Sequence, residues 1–171
     1  MRVREAVPED GEAVRAVHYE SILGLGRSSY STEQAEAWAA GCATADYRAT
    51  IESAERYCIV AQEDRGVVGF GTLALEAPDE YDPPVDGEVR AVYVHPAVAR
   101  DGVGTALYED LETTARKKGY RTLGLTASRN AVPFYEARGY ERVRETDNEF
   151  SGHESTGVSG TVLQMRKELK E

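Results

Sequence analysis

The apolar and polar positions of the first forty residues predict one strand and two helices. Residues 1–7 form a short strand-like stretch, and Pro8 opens a segment whose apolar side chains recur at a helical spacing as far as Leu25. The sequence GLGRSSY interrupts that helix. A second helix is predicted up to Gly41, because Ser31 and Gln34 have the spacing of a capping box and a glycine ends many helices.

The remaining chain alternates between strand and helix patterns. The predicted strands are 56–62, 66–76, 88–96, 120–128, 140–146 and 161–169, the helices are 102–119 and 130–139, and the loops are the proline-rich 77–87 and a flexible 147–160. Asn130 is predicted to cap the last helix, and Gly139 to end it. The order β-α-α-β-β-β-α-β-α-β-β predicts an α/β fold with a mixed sheet, as one domain over residues 1–171.

Composition excludes several classes of protein. The formal net charge of −10 argues against binding to nucleic acid, which needs a basic surface. No apolar run approaches the length of about 18 residues that a membrane helix needs, and the N-terminus lacks the apolar centre of a signal peptide, so a cytoplasmic location is predicted. An acidic surface with far more arginine than lysine fits a halophile, although a GC-rich genome gives the same arginine bias.

The residue types that commonly bind metals are too scattered along the sequence to predict a site. Cys42 and Cys58 have no metal spacing and are interpreted as small buried hydrophobic residues, and His18, His95 and His153 belong to no ligand cluster. No metal site is predicted.

Two glycines at the start of a helix raise the first question of function. Gly102 and Gly104 follow a strand directly, although glycine weakens a helical turn. They either permit tight packing of strand on helix or expose backbone N–H groups to an anion such as a phosphate. A P-loop is rejected because Thr105 and Ala106 stand where it needs lysine and then serine or threonine. A dinucleotide fingerprint is rejected because Leu107 occupies its third glycine position and the next strand has no acid.

Two sequence blocks carry a family resemblance. VYVHPAVARDGVGTAL resembles the acetyl-CoA motif of the GNAT superfamily of acetyl-CoA-dependent N-acetyltransferases, and NAVPFYEARGYERV resembles its C-terminal signature. The likeness extends from about residue 2 to residue 168, with Ala99 standing where arginine or glutamine is usual. It implies the GNAT fold, in which a central, mostly antiparallel sheet, flanked by about four helices, is splayed at the acetyl-CoA site.

The resemblance also implies how acetyl-CoA is held. The pyrophosphate would lie on the backbone amides from Arg100 to Thr105, and the pantetheine arm would run beside β-strand residues and touch Asn130. The implied cofactor-binding residues are Val92, Tyr93, Val94, Arg100, Asp101, Gly102, Val103, Gly104, Thr105, Asn130 and Tyr135.

The chemistry of acetyl transfer needs a base, an oxyanion donor and an acid. By resemblance, the N–H of Val94 is the oxyanion donor and Tyr135 protonates the departing thiolate, unless Tyr135 is only a packed core residue. Glu88 stands where certain relatives carry a catalytic glutamate, and the alternative is a solvated carboxylate at the start of a strand.

The acceptor is less well defined than the cofactor. The resemblance places Tyr30, Glu33 and Trp38 in the acceptor wall, with Trp38 alternatively a core residue. The predicted function is transfer of an acetyl group from acetyl-CoA to a primary amine of a small molecule by direct transfer. The alternatives are acetylation of a protein or peptide amine on the same fold and a non-catalytic acyl-CoA-binding sensor. A homodimer is compatible with the resemblance.

Overall fold

A single mixed sheet organises the chain. The computed structural model describes residues 1–25, 29–149 and 159–169. The strands follow the order β1-β2-β3-β4-β5-β7-β6 across the sheet, and every neighbouring pair is antiparallel except β4 and β5. The strands are β1 (Arg2–Glu5), β2 (Arg56–Glu63), β3 (Gly66–Ala74), β4 (Gly87–Val94), β5 (Thr122–Ser128), β6 (Glu141–Glu149) and β7 (Ser159–Glu168). The predicted mixed sheet is confirmed, and most of the predicted loop at 147–160 lies outside the described residues.

Five α-helices accompany the sheet within the described residues, one more than predicted. They are α1 (Gly11–Leu25), α2 (Thr32–Ala40), α3 (Tyr47–Glu52), α4 (Val103–Lys117) and α5 (Val132–Glu136). The capping box before α2 is present, since Ser31 accepts from the amide of Gln34 and the Gln34 side chain accepts from the amide of Ser31. The unpredicted helix is α3, which has only 6 residues and is too short to show a helical period.

The helices pack on opposite faces of the sheet. Leu107 and Leu111 of α4 join a core with Ile59 of β2, whereas Val14 of α1 packs with Val60 of the same strand on the other face. This division follows from the two-residue period of a strand, in which successive side chains point to opposite faces. Both faces of the central strands are therefore buried.

The sheet opens in its centre. The parallel pairing of β4 with β5 covers only Gly87 to Val89, opposite Leu123 to Leu125. The register of β4 against β3 shifts at the same point, between the partners of Thr72 and Leu73, and then continues to Val94. Beyond Val89, β4 is therefore bonded to the sheet on one side only, which confirms the predicted splay.

In the three described stretches of the chain, no helix combines the length and the apolar character that a membrane span requires.

Candidate active site

The loop between β4 and α4 has an unusual backbone. Arg100 has a φ of 70° and Gly102 a φ of 85°, so both lie in the left-handed region. A Cβ added to Gly102 would meet nothing within 4 Å. The requirement for glycine at this position is therefore its backbone conformation and not the space around it.

The first turn of α4 offers backbone donors. A helix leaves its first N–H groups without partners inside the helix, and here the amide of Ala106 is bonded to the carbonyl of Gly102 at 3.1 Å. The amide of Asp101 donates to the carbonyl of Val98 at 3.2 Å and is already engaged. The donors that remain from the predicted set belong to Arg100 and to residues 102–105, and at the first turn of α4 the helix dipole also favours an anion.

The missing side chain of Gly104 allows close packing and also leaves the first turn of α4 uncovered. A Cβ added there would lie 3.3 Å from the ring of Phe134 and 3.5 Å from a methyl group of Val94. The missing side chain lets the aromatic residue of α5 approach the first turn of α4. Gly104 therefore has the packing role that the sequence allowed, Gly102 is required for its backbone conformation, and anion binding by this turn stays a prediction.

An arginine that was not predicted lies beside this turn. The guanidinium of Arg138 stacks 3.6 Å from the centre of the Phe134 ring and donates a hydrogen bond to the hydroxyl of Thr105. It also donates to the carbonyl of Phe134 at 2.8 Å. Arg138 adds positive charge next to the free amides. Its sequence signal is its place in the C-terminal block, FYEARG, close to the aromatic pair.

A cavity of about 500 Å³ occupies the opening between β4 and β5. It is bounded by the outer part of β4, by the β4–α4 loop, by the segment after β5 and by α1 and α2. Its lining includes ten residues that the sequence singled out: Trp38, Val92, Tyr93, Val94, Arg100, Gly102, Gly104, Thr105, Asn130 and Tyr135. Ser21, Ile22, Ala99, Ser128, Ala131 and Phe134 complete it. Of the other predicted cofactor-binding residues, Asp101 is exposed and Val103 is buried in the core.

Asn130 carries a buried amide oxygen with no hydrogen-bond partner. The predicted capping role is wrong: Ser128 precedes the short 3-10 turn, Ala131 precedes α5, and neither end has a side-chain cap. An amide oxygen that is buried without a donor costs about 1–3 kcal/mol. Because Asn130 lines the cavity, a ligand N–H group would satisfy this oxygen.

Tyr135 is both a core residue and a lining residue. Its side chain is 7% exposed and its ring lies among those of Tyr108, Phe134 and Tyr140. Burial raises the pKa of Tyr135 far above that of a free phenol. Within the described residues its hydroxyl has no hydrogen-bond partner, so the O–H group is available to a ligand in the cavity.

Glu88 is held by two side chains inside the fold. It is 3% exposed, which excludes the alternative of a solvated carboxylate. Tyr81 donates to one carboxylate oxygen at 2.5 Å, and Arg90 donates to the other at 2.8 Å. Burial, and secondly the hydrogen bond to Glu88, raise the pKa of Tyr81 far above its usual value. Glu88 is not among the residues that line the cavity.

The position of Tyr81 depends on a glycine in the neighbouring strand. A Cβ added to Gly124 would lie 2.4 Å from the Tyr81 ring. Gly124 pairs with Glu88 across the parallel junction. The proline-rich loop thus places a tyrosine over the strand pair that opens the sheet. No sequence pattern linked Tyr81 or Arg90 to Glu88.

The three predicted acceptor residues lie in different environments. Trp38 lines the cavity. Tyr30 is 5% exposed and outside the lining; its hydroxyl donates to the carbonyl of Thr161 and accepts from the amide of Arg129, both at 2.8 Å. Glu33 lies exposed in the first turn of α2. The role of Tyr30 that the contacts define is to tie the start of α2 to β7 and to the segment after β5.

Comparisons with known proteins agree with this geometry. A family profile described as Acetyltransferase (GNAT) domain matches residues 27–166. A GCN5-related N-acetyltransferase from Rhodopseudomonas palustris, also described as a class-II aminotransferase, is 30% identical, with a TM-score of 0.81 over 98% of this chain and 95% of that one.

More distant structures share the fold. The PaiA N-acetyltransferase from Thermoplasma acidophilum, solved with coenzyme A, is 20% identical, with a TM-score of 0.75 over 98% of both chains. A ribosomal-protein-alanine N-acetyltransferase from Brucella melitensis is 18% identical, with a TM-score of 0.63 over 99% of this chain and 100% of that one.

The chain belongs to the GNAT acetyltransferases and is an acyltransferase enzyme.

Proposed function

We propose that this protein transfers an acetyl group from acetyl-CoA directly to a primary amine of a small molecule. The observation that carries the proposal is the cavity between β4 and β5, which meets the free amides of α4 at one end and the buried oxygen of Asn130. A phosphate-bearing, amide-containing ligand would satisfy both. The PaiA structure solved with coenzyme A supports the same choice of ligand class.

The residues of the cavity fit the parts of acetyl-CoA. The amides of residues 102–105 and the charge of Arg138 would hold the pyrophosphate. The unpaired edge of β4 at Val92 and Val94 would bond to the pantetheine amides as a strand does. A pantetheine N–H would reach Asn130. Each of these contacts uses a group that the protein itself leaves unpaired.

Acetyl-CoA supplies the thioester carbonyl that a neutral amine attacks. The N–H of Val94 would donate to the carbonyl oxygen as negative charge develops on it. The amine forms a bond to the acetyl carbon, and its proton passes to Glu88 through water. The bond between carbon and sulfur breaks, and Tyr135 gives its hydroxyl proton to the thiolate. Because burial raises the pKa of Tyr135, that residue stays protonated until the thiolate forms.

A protein or peptide acceptor is the second candidate. It is supported by the similar fold of the ribosomal-protein-alanine N-acetyltransferase. We favour the small amine because the cavity, which is lined by Ile22 of α1 and Trp38 of α2, is of limited size, about 500 Å³ in total.

The experiment measures ligand binding first and turnover second. Acetyl-CoA should raise the melting temperature, whereas NAD and ATP should raise it much less. Release of free thiol from acetyl-CoA is then measured with a panel of small primary amines and, separately, with peptides that carry a free N-terminus or a lysine. Turnover with peptides only would replace the small amine by a protein acceptor. An equal shift with NAD would reject the acetyl-CoA site, and binding without any turnover would favour a sensor.

A further inference from the structure

A second cavity, of about 320 Å³, lies on the α1 face of the sheet. Its walls are α1, the unpredicted helix α3, and strands β2, β3 and β4. The floor is apolar and includes Val14, Ile51, Ile59 and Phe70. The volume falls at the lower end of the range for sites that bind small molecules. The residues that line the first cavity do not occur in this one.

His18, which lines the second cavity, carries a buried polar atom without a partner. Nδ1 of His18 lies 2.7 Å from the hydroxyl of Tyr47, whereas Nε2 is buried and has no hydrogen-bond partner. Burial of the ring lowers the pKa of His18 to about 4. The imidazole is therefore neutral at pH 7. A buried nitrogen left unpaired destabilises the fold unless a ligand or a water molecule bonds to it.

The charged groups of this cavity favour an anion. Arg56 forms no ion pair with a described residue, and its guanidinium donates only to the neighbouring carbonyl of Glu55, at 3.3 Å. Arg90 is half-exposed and binds Glu88 with one nitrogen. Asp46 is the single carboxylate in the lining, and it already accepts from the amide of Ala49 as the cap of α3. The lining thus has two guanidinium groups, one of them paired with Glu88, and one carboxylate that is already engaged, in a protein whose net charge is −10.

We propose that this second cavity is a binding site for a small carboxylate with an apolar body. The carboxylate would bind Arg56 and the free nitrogens of Arg90, since a guanidinium donates to a carboxylate through two parallel bonds. The apolar body lies on the floor formed by Ile51 and Phe70, and a polar group of the ligand bonds to Nε2 of His18. An amine is disfavoured by the two positive charges, and a bare phosphate leaves the apolar floor uncovered.

The site stands apart from the acetyl-transfer site. His18 lines the second cavity and Tyr93 lines the first, and their rings are in contact with centroids 4.4 Å apart. These two rings form part of the partition between the cavities. Binding at the second site is therefore measurable whether or not acetyl-CoA binds at the first, and the inference does not depend on the proposed function.

The test uses the full chain and three small probes that share a phenyl ring and differ in their polar group. Phenylacetate, phenylacetamide and 2-phenylethylamine are titrated by NMR to about 10 mM, the range expected for a ligand of roughly ten heavy atoms. The signals followed are the backbone amides of Thr72 and Ala91 and the side-chain Nε–H of Arg56. Phenylacetate should shift these signals in a saturable way, with coenzyme A present or absent. The neutral amide should bind at least about tenfold more weakly, because it cannot form charge-assisted bonds.

Two arginine variants give a matched comparison. Arg56→Gln should weaken phenylacetate binding by at least about tenfold. Arg65→Gln removes an exposed arginine in the turn between β2 and β3, outside the cavity, and should leave binding within about twofold. Thr50→Trp, on the exposed side of α3, should obstruct the site without changing its charges.

Several outcomes would overturn the proposal. They are equal binding of the acid and the amide, no effect of Arg56→Gln, saturable shifts at Val92 and Gly104 in place of Thr72 and Ala91, and no saturable shift with phenylacetate. If Thr50→Trp fails to fold, the comparison of the two arginine variants decides the question alone.

Discussion

The two sides of the opening in the sheet are built in different ways. On the side proposed to hold the cofactor, one continuous stretch from Val92 to Thr105 would supply most of the backbone groups, and its side chains matter mainly where they are absent, at Gly102 and Gly104. On the side proposed to hold the amine, the groups are side chains from separate segments: Trp38 of α2 lines the cavity, and Glu88, outside the lining, is held by Tyr81 and Arg90. A site made of backbone leaves a local sequence pattern, whereas a site made of distant side chains leaves none.

The largest effect is expected from a side chain on the cofactor side. In Gly104→Val the Cβ lies 3.3 Å from Phe134, so the ring or the turn must move, and the methyl groups cover the free amides. The loss of two charge-assisted hydrogen bonds corresponds to roughly 100-fold in acetyl-CoA affinity. The measurement is the rise in melting temperature with acetyl-CoA, with circular dichroism as the control for folding. A folded variant with an undiminished rise would remove the pyrophosphate from this turn.

The second-largest effect is expected from the hydroxyl of Tyr135, which lines the cavity between the two sides. Tyr135→Phe keeps the buried ring and removes an O–H group that has no partner among the described residues, so folding and acetyl-CoA affinity should survive. Turnover should fall by roughly 10- to 1,000-fold. The matched control is Tyr108→Phe, whose hydroxyl bonds to Tyr140 and Glu112 at 3.1 Å and lies outside the cavity. Turnover of Tyr135→Phe within about twofold of the parent would make Tyr135 a core residue only.

The amine side is tested by its buried carboxylate. Glu88→Gln should reduce turnover by roughly 10- to 100-fold at pH about 6.5 and by less at pH about 9, where more of the amine is already neutral. Acetyl-CoA binding should be unchanged, because Glu88 does not line the cavity. The measurement is a pH–rate profile, and Glu80→Gln, an exposed acid of the nearby loop, is the control. An unchanged profile would leave Glu88 with a structural role and water as the base.

The smallest effect on turnover is expected from the residue that holds Glu88. Tyr81→Phe leaves one carboxylate oxygen without its donor, which should destabilise the protein by about 1–3 kcal/mol. The melting temperature should fall by roughly 2–4 °C for each kcal/mol, and turnover by a few-fold. If Tyr81 acts by positioning Glu88, Tyr81→Phe should have no further effect on turnover in a Glu88→Gln background. Additive losses would mean that Tyr81 acts independently.

Sequence patterns predicted the parts of the molecule whose conformation depends on residues close together in the chain. The strands, the capping box at Ser31 and the start of a helix at the glycine-rich turn were predicted correctly, because each depends on residues a few positions apart. The helix α3 was missed because its 6 residues are fewer than two helical turns. Asn130 was assigned to capping because asparagine caps many helices, yet its amide oxygen faces no backbone donor.

The side-chain contacts around Glu88 and Arg138 could not be predicted from the sequence, because the residues that form them are far apart in the chain and meet only in the folded protein. Tyr81 reaches Glu88 across a loop, and the space for its ring is left by Gly124, 43 positions along the chain from Tyr81. Arg138 reaches Thr105 across 33 positions. No periodicity relates such positions. The acceptor amine, the cytoplasmic location, the salt-adapted origin, the single domain and the homodimer stay predictions.

The short parallel junction between β4 and β5 has a consequence for how the protein unfolds. Among the described residues, only three residue pairs join the strands β1–β4 to the strands β5–β7, so the junction with the fewest paired residues in the sheet runs beside the proposed site of chemistry. A bound cofactor that spans this seam adds contacts to both halves at once and links two regions that would otherwise open separately. Binding of the cofactor should therefore slow amide hydrogen exchange across the whole of β5 and β7, well beyond the residues that the cofactor contacts.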